Sequence, residues 1–61
     1  MNKIELLETQ KHPKGNIKKG SIHNWNENAQ CYEYKNDEGI IVSTVNKAGV
    51  EAFSHMFKKI N

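Results

Sequence analysis

Cys31, His12, His23 and His55 are the residues of this 61-residue chain whose types could support catalysis or hold a metal ion. A thiolate beside an imidazole is a nucleophile with its base, and one sulfur with three imidazole nitrogens could complete a tetrahedral zinc site. The spacing supports neither arrangement. None of the four lies within roughly two to four residues of another, the separation at which structural zinc sites pair their ligands. A single cysteine in a strand is ordinarily a small buried hydrophobe. Catalysis would also need oxyanion donors and a pocket of about 300 Å³ or more, built from a very short chain. The expectation is a protein without catalytic residues, cofactor or metal, with three histidines on its surface.

A second grouping is electrostatic. Between Thr9 and Asn26 stand Lys11, Lys14, Lys18 and Lys19 with His12 and His23 and no acid, while all seven acids lie outside this window. Arginine is absent from the sequence. Lysine neutralises phosphate but lacks the planar fork that reads guanine or grips a carboxylate with two bonds. The window therefore suits a salt-sensitive attraction to polyanions and argues against base-specific readout. Its plainer reading is a solvated loop face. With Trp25, Tyr32 and Tyr34 as stacking platforms, the same lysines would suit a grip on single-stranded nucleic acid. The competing reading makes those three rings the core. The candidate contacts to a polyanion or a partner are Lys11, Lys14, Lys18, Lys19, His23 and Trp25.

Length sets further limits. Sixty-one residues suit one domain, and a chain of that size buries only about 60% of its unfolded surface. Small domains compensate with disulfides, a metal or a partner. Cys31 alone cannot form an internal disulfide, which favours a reducing compartment or a Cys31-linked dimer. No segment reaches the roughly 18 apolar residues that span a bilayer, and the first ten residues, with two acids and no apolar run, do not read as a secretion signal. The expected location is the cytoplasm, with no membrane contact.

The elements that must position these residues centre on Gln30–Val45. Two runs rich in aromatic and β-branched residues flank Asn36-Asp37-Glu38-Gly39, which predicts a β-hairpin with Gly39 in the left-handed conformation. Tyr32 and Tyr34 share one face; Cys31, Glu33 and Lys35 share the other. Ile40, Ile41 and Val42 are contiguous, so the return strand is expected to be covered on both sides. Upstream, residues 2–10 suit a strand, although Ile4 and Leu7 also fit a helical turn. A second strand runs from Gly20 to Trp25, with Ile22 on one face and Ser21, His23 and Trp25 on the other. At the end of the chain, Val50, Phe53, Phe57 and Ile60 recur at spacings of three and four, widened by Met56. This predicts an amphipathic helix capped by Asn46. Gly49 sits at the edge of its apolar stripe, where a missing side chain lets the helix approach the sheet.

The order predicts an α+β domain: a small bent antiparallel sheet of about four strands, packed by one C-terminal helix. The span from Glu8 to Trp25, with Pro13, Gly15, Lys18, Lys19, Gly20 and Trp25, resembles the opening of small phage- or prophage-encoded SH3-like β-barrel proteins. The resemblance covers the first half of the chain and implies a fold without assigning a functional residue. The acidic loop and tryptophan pair of proline-binding SH3 domains are missing, so binding of PxxP peptides is not implied.

Two functions are expected. The preferred one is protein binding, because so small a domain leaves apolar side chains near its surface and can dock through edge strands. Eight asparagines and nine lysines without arginine resemble the AT-rich coding of phages, which suggests a steric inhibitor or accessory factor acting on a host protein, as anti-defence proteins do. A second copy of the chain is a further candidate partner. The alternative is a small barrel that contacts nucleic acid through its lysine-rich loop.

Overall fold

Along the first strand, alternate residues Ile4 and Leu6 are completely withdrawn from solvent while Lys3 is exposed. This period of two marks a half-buried strand. The computed structural model describes residues 2–13 and 15–60. Within them, β1 (Lys3–Leu6), β2 (Ile22–Asn26), β3 (Cys31–Lys35) and β4 (Ile41–Val45) are followed by a short helix, α1 (Lys47–Ala52), and by β5 (Phe57–Lys59). The five strands form one open sheet in the order β4-β3-β2-β1-β5, with every neighbouring pair antiparallel. The architecture is α+β.

Register explains which side chains meet. Ile4 faces His23, Leu6 faces Phe57, Trp25 faces Tyr32, and Tyr32 faces Val45. Directly opposed residues share a face of the sheet. Ile4, Leu6, Ile17, Tyr32, Val50 and Phe57 are thereby gathered into one core, with Trp25, Tyr34, Val42, Val45 and Met56 packed around it. The two tyrosines do share a face, and Cys31, Glu33 and Lys35 lie on the other.

The long β1–β2 connection is a ribbon rather than a free loop. Gln10 and Ile17 exchange backbone hydrogen bonds of 2.8 and 2.9 Å, and the Gly20 amide donates to the Leu6 carbonyl at 2.8 Å. The ribbon carries Ile17 into the core. The central hairpin closes as its sequence predicts: the Gly39 amide donates to the Asn36 carbonyl at 2.9 Å, and Gly39 has φ +81°. A β-bulge between Tyr34 and Lys35 shifts the register of β4.

Two expectations are corrected. The C-terminal helix does not continue to Ile60: it starts at the Asn46 cap as expected but ends at Phe53 (φ −116°, ψ 46°). After a turn, the chain becomes β5 along the free side of β1. The Leu7 amide donates to the Met56 carbonyl at 2.7 Å and the Ile60 amide to the Lys3 carbonyl at 3.0 Å. The apolar spacing of Phe53, Phe57 and Ile60 fits a helical face, but pairing with an otherwise open β1 satisfies backbone groups and covers Leu6 with Phe57. Tertiary pairing wins over local periodicity, and the sheet has five strands in place of four. The second correction concerns β4, which is an edge strand without cover on both sides: Ile40 is 57% and Ile41 48% exposed. Ile40 belongs to the turn, and the bulge leaves Val42 and Val45 as the members of the run that reach the core.

Candidate functional site

The sheet curls until residues from both of its edges border one groove. Ser43, Thr44 and Val45 of β4 line it together with Phe57 of β5, Gln10 of the ribbon, and Phe53, His55 and Met56 of the α1–β5 turn. Its volume is about 400 Å³, within the range of ligand pockets. Phe53 stands at its rim 56% exposed, with its ring 6.4 Å from that of His55. Among the described residues no carboxylate lines it.

The two edges differ in character. β5 is three residues long and carries Lys58 and Lys59, both exposed. Short length and lysines are the usual devices that keep an edge from pairing with another chain. β4 has five residues, Ile-Val-Ser-Thr-Val, with no charge and no proline. Exposed Ile40 and Ile41 stand at its start and exposed Phe53 lies beyond its end. An unguarded edge next to an apolar groove is the most conspicuous surface feature among the described residues.

A smaller hollow of about 230 Å³ is lined by Asn2, Tyr32, Lys47, Val50, Glu51 and Lys59. It mixes both signs of charge with the buried side chains of Tyr32 and Val50.

The sequence-derived candidates are dispersed. Lys11, Lys18 and Lys19 are exposed on the β1–β2 ribbon; Lys14 lies outside the described residues. Trp25 belongs to β2, outside the ribbon that carries Lys11, Lys18 and Lys19. The ring is also occupied. Tyr32 packs edge-on with centroids 4.9 Å apart, the Lys47 ammonium lies 4.9 Å above it, and its Nε1 donates to the Glu27 carboxylate at 3.2 Å. That bond, together with one from the Gln30 side chain, holds the Glu27 carboxyl below its ordinary value. Tyr32 is only 5% exposed. The three rings are thus structural before they are stacking platforms.

His23 is a correction to both its surface placement and its partner role. It is completely buried, with its ring 5.6 Å from that of Tyr34 and 5.8 Å edge-on from that of Phe57. Among the described residues neither ring nitrogen reaches a partner with hydrogen-bonding geometry. Burial holds the imidazole below its ordinary value, and the Ser21 backbone offsets only part of this. Cys31 lies on the opposite face of the sheet, half-buried and unpaired. Among the described residues no group of three or more His, Cys, Asp or Glu side chains converges as metal ligands, and no helix is long and apolar enough to cross a membrane.

Phe53 is the site residue that sequence reasoning assigns to the core instead of the surface. Its periodicity with Phe57 carries that assignment, and no local signal marks the helix end between them. No protein-family model, curated protein or solved structure matches this chain.

Proposed function

We propose that this chain is a non-catalytic, SH3-like binding domain that docks onto a protein partner through the side formed by β4 and the α1–β5 turn. What supports the SH3-like reading is the order of elements: a four-strand meander, a single helical turn-and-a-half, and a last strand that returns to pair with the first. The observation that carries the functional reading is the asymmetry between the sheet edges. β5 is short and lysine-bearing, whereas β4 is uncharged, opens on exposed Ile41 and is followed by exposed Phe53. Apolar side chains left on a surface beside an open edge are a common means of protein docking. On this reading the protein acts in the cytoplasm by covering a surface of a host protein, as a steric inhibitor or accessory factor of the anti-defence kind expected for a phage-encoded chain.

The second reading, contact with nucleic acid, is favoured by exposed Lys11, Lys18 and Lys19 on one ribbon. Engagement of Trp25 by Tyr32, Lys47 and Glu27 counts against it. Photo-cross-linking separates the two. A benzophenone side chain at position 53, with one at position 58 as the control on the guarded edge, is exposed to host lysate with and without nuclease. A protein adduct at position 53 that survives nuclease supports docking. Adducts that vanish with nuclease, or equal labelling at both positions, would reject it.

A further inference from the structure

We infer that His23 is an acid-sensitive pin for the end of the chain: a proton taken from solvent by its imidazole releases β5 from β1 while the β1–β4 meander stays folded. The inference does not depend on the docking reading. Two observations carry it, the state of the ring and the place of the strand that covers it.

His23 is completely withdrawn from solvent, and among the described residues neither ring nitrogen has a partner of good hydrogen-bonding geometry. A cation there would hold two N–H donors in an apolar surround, and buried charge is tolerated only when it is paired. From β1 the ring's side of the sheet receives Ile4 and Leu6, and from β3 Tyr32 and Tyr34, while Glu5 and Glu33 alternate onto the other side. β5 contributes Phe57 and, opposite Ile4, the cation Lys59, which adds repulsion and no counter-charge. Val50 of α1 is buried, with Lys47 and Glu51 exposed beside it; Ile17 of the ribbon is buried, with His12 half-buried and Lys11, Lys18 and Lys19 exposed. The faces of Tyr34 and Phe57 would compensate only part of the lost hydration.

The charged ring gains most from water, and the topology decides where water enters. β1, β2 and β3 each lie between two strands, so none of them moves without breaking two ladders. The edge strands are held by one ladder each. Of these, it is β5 whose Phe57 ring stands edge-on 5.8 Å from the imidazole. β5 has three residues, two of them exposed lysines, and it pairs with β1. Burial holds the imidazole below its ordinary value, in keeping with a closed state that refuses the proton. Release would uncover Leu6 and the outer side of β1, so acid would give the sheet a second open edge besides β4.

The test is amide exchange of the full chain, read by ¹⁵N-resolved spectra in small additions of urea at pH 7 and pH 5.5 and expressed as protection, so that the intrinsic pH dependence cancels. The Leu7 and Ile60 amides, bonded to the Met56 and Lys3 carbonyls, should exchange through an opening that responds weakly to urea, as local openings do. That opening should become about five- to eightfold more populated at the lower pH, close to the limit for one proton. Amides of the β2–β3 ladder should exchange through urea-sensitive unfolding. His23→Leu should abolish the pH response at Leu7 and Ile60, whereas His12→Gln and His55→Gln should keep it. A second variant keeps His23 and ties the directly opposed pair Glu5 and Lys58: Glu5→Cys with Lys58→Cys, in a Cys31→Ser background. Oxidised, it should lose the pH response of the urea-insensitive opening; reduced, it should regain it. Equal urea dependence at Leu7, Ile60 and the β2–β3 ladder would show that the protein opens as one unit and would overturn the inference. So would a pH response that persists in His23→Leu or in the oxidised pair, or one that disappears in His12→Gln or His55→Gln.

Discussion

Ile4 stands directly opposite His23 across the β1–β2 ladder, and both side chains are wholly out of solvent. A hydrocarbon and a titratable ring thus share the centre of the core. The groups around the imidazole include Tyr34 from β3 and Phe57 from β5, while Lys3 and Glu5 alternate with Ile4 onto the other face of β1. Among the described residues neither nitrogen has a partner of good hydrogen-bond geometry, so the core accepts neutral histidine and resists the cation.

Stability should therefore depend on pH in a definite direction. Burial lowers the folded-state pKa of His23, so in the affected range the unfolded chain binds a proton that the folded chain refuses. Its contribution is fully present above the unfolded value of about 6.5 and is lost as pH falls toward the depressed folded value. Carboxylates titrate near about 4, so a loss between about pH 7 and pH 5.5 is ascribed mainly to imidazole. Urea unfolding at those two pH values should show the midpoint falling in the native sequence and nearly constant in His23→Leu. An equal fall in both would place the responsible proton elsewhere.

Phe53 and Phe57 are expected to part company on truncation. Phe57 is 9% exposed and lies opposite Leu6, so Phe57→Ala should cost about 3–5 kcal/mol, enough to unfold much of a small domain. Phe53 is largely solvent-exposed, and Phe53→Ala should change stability by less than about 1 kcal/mol. Thermal unfolding monitored by far-ultraviolet circular dichroism measures both. Similar losses for the two would restore the continuous helix that their spacing suggests.

That contrast shows what the sequence makes legible. The hairpin is written locally: alternating Tyr32 and Tyr34, the Asn36–Gly39 turn and the β-branched return strand all agree, and the fold obeys them. The Asn46 cap is local as well. The path of the chain beyond α1 is decided at a distance, because residues 57–59 take the conformation that β1 needs for its second partner. No pattern within Phe57-Lys58-Lys59 announces it. His23 is hidden for a similar reason. Alternation places it with Trp25, but burial of that face is set by Ile4 and Phe57, which are remote in sequence. The lysine window, in contrast, is plain in the sequence as a charge run, and its exposed ribbon matches a solvated face. The groove cannot be read from the sequence at all, since its walls come from separate segments of the chain.

Gly49 offers a test in which propensity and packing oppose each other. Alanine is favoured over glycine by about 1 kcal/mol inside a helix. Yet a Cβ at position 49 would lie 2.7 Å from Val45 Cγ2 and 3.2 Å from Asn46 Oδ1. The same Asn46 oxygen accepts the Gly49 amide at 2.7 Å and caps the helix. Contact that close forces either the β4 valine or the cap to move, and overpacking of this kind costs typically about 1–3 kcal/mol. Gly49→Ala is expected to destabilise the protein in urea, and a gain in stability would show that α1 does not press against β4 at this point.

Asn36 does more for the central hairpin than its backbone position requires. Its side-chain oxygen accepts from the Glu38 amide at 2.9 Å and from the Ile40 amide at 3.0 Å, while its carbonyl accepts from Gly39. Asn36→Ala removes both side-chain acceptor contacts, each worth about 0.5–1.5 kcal/mol; Asn36→Asp keeps an acceptor and should recover most of the loss. Gly39→Val should be worse than either, because φ at +81° strains a β-branched residue even though nothing crowds the position. Since this turn sets where β4 begins, amide exchange in residues 41–45 should accelerate in Asn36→Ala and Gly39→Val but stay near native in Asn36→Asp. Unchanged exchange in all three would mean that pairing with β3, and not the turn, fixes the edge strand in place.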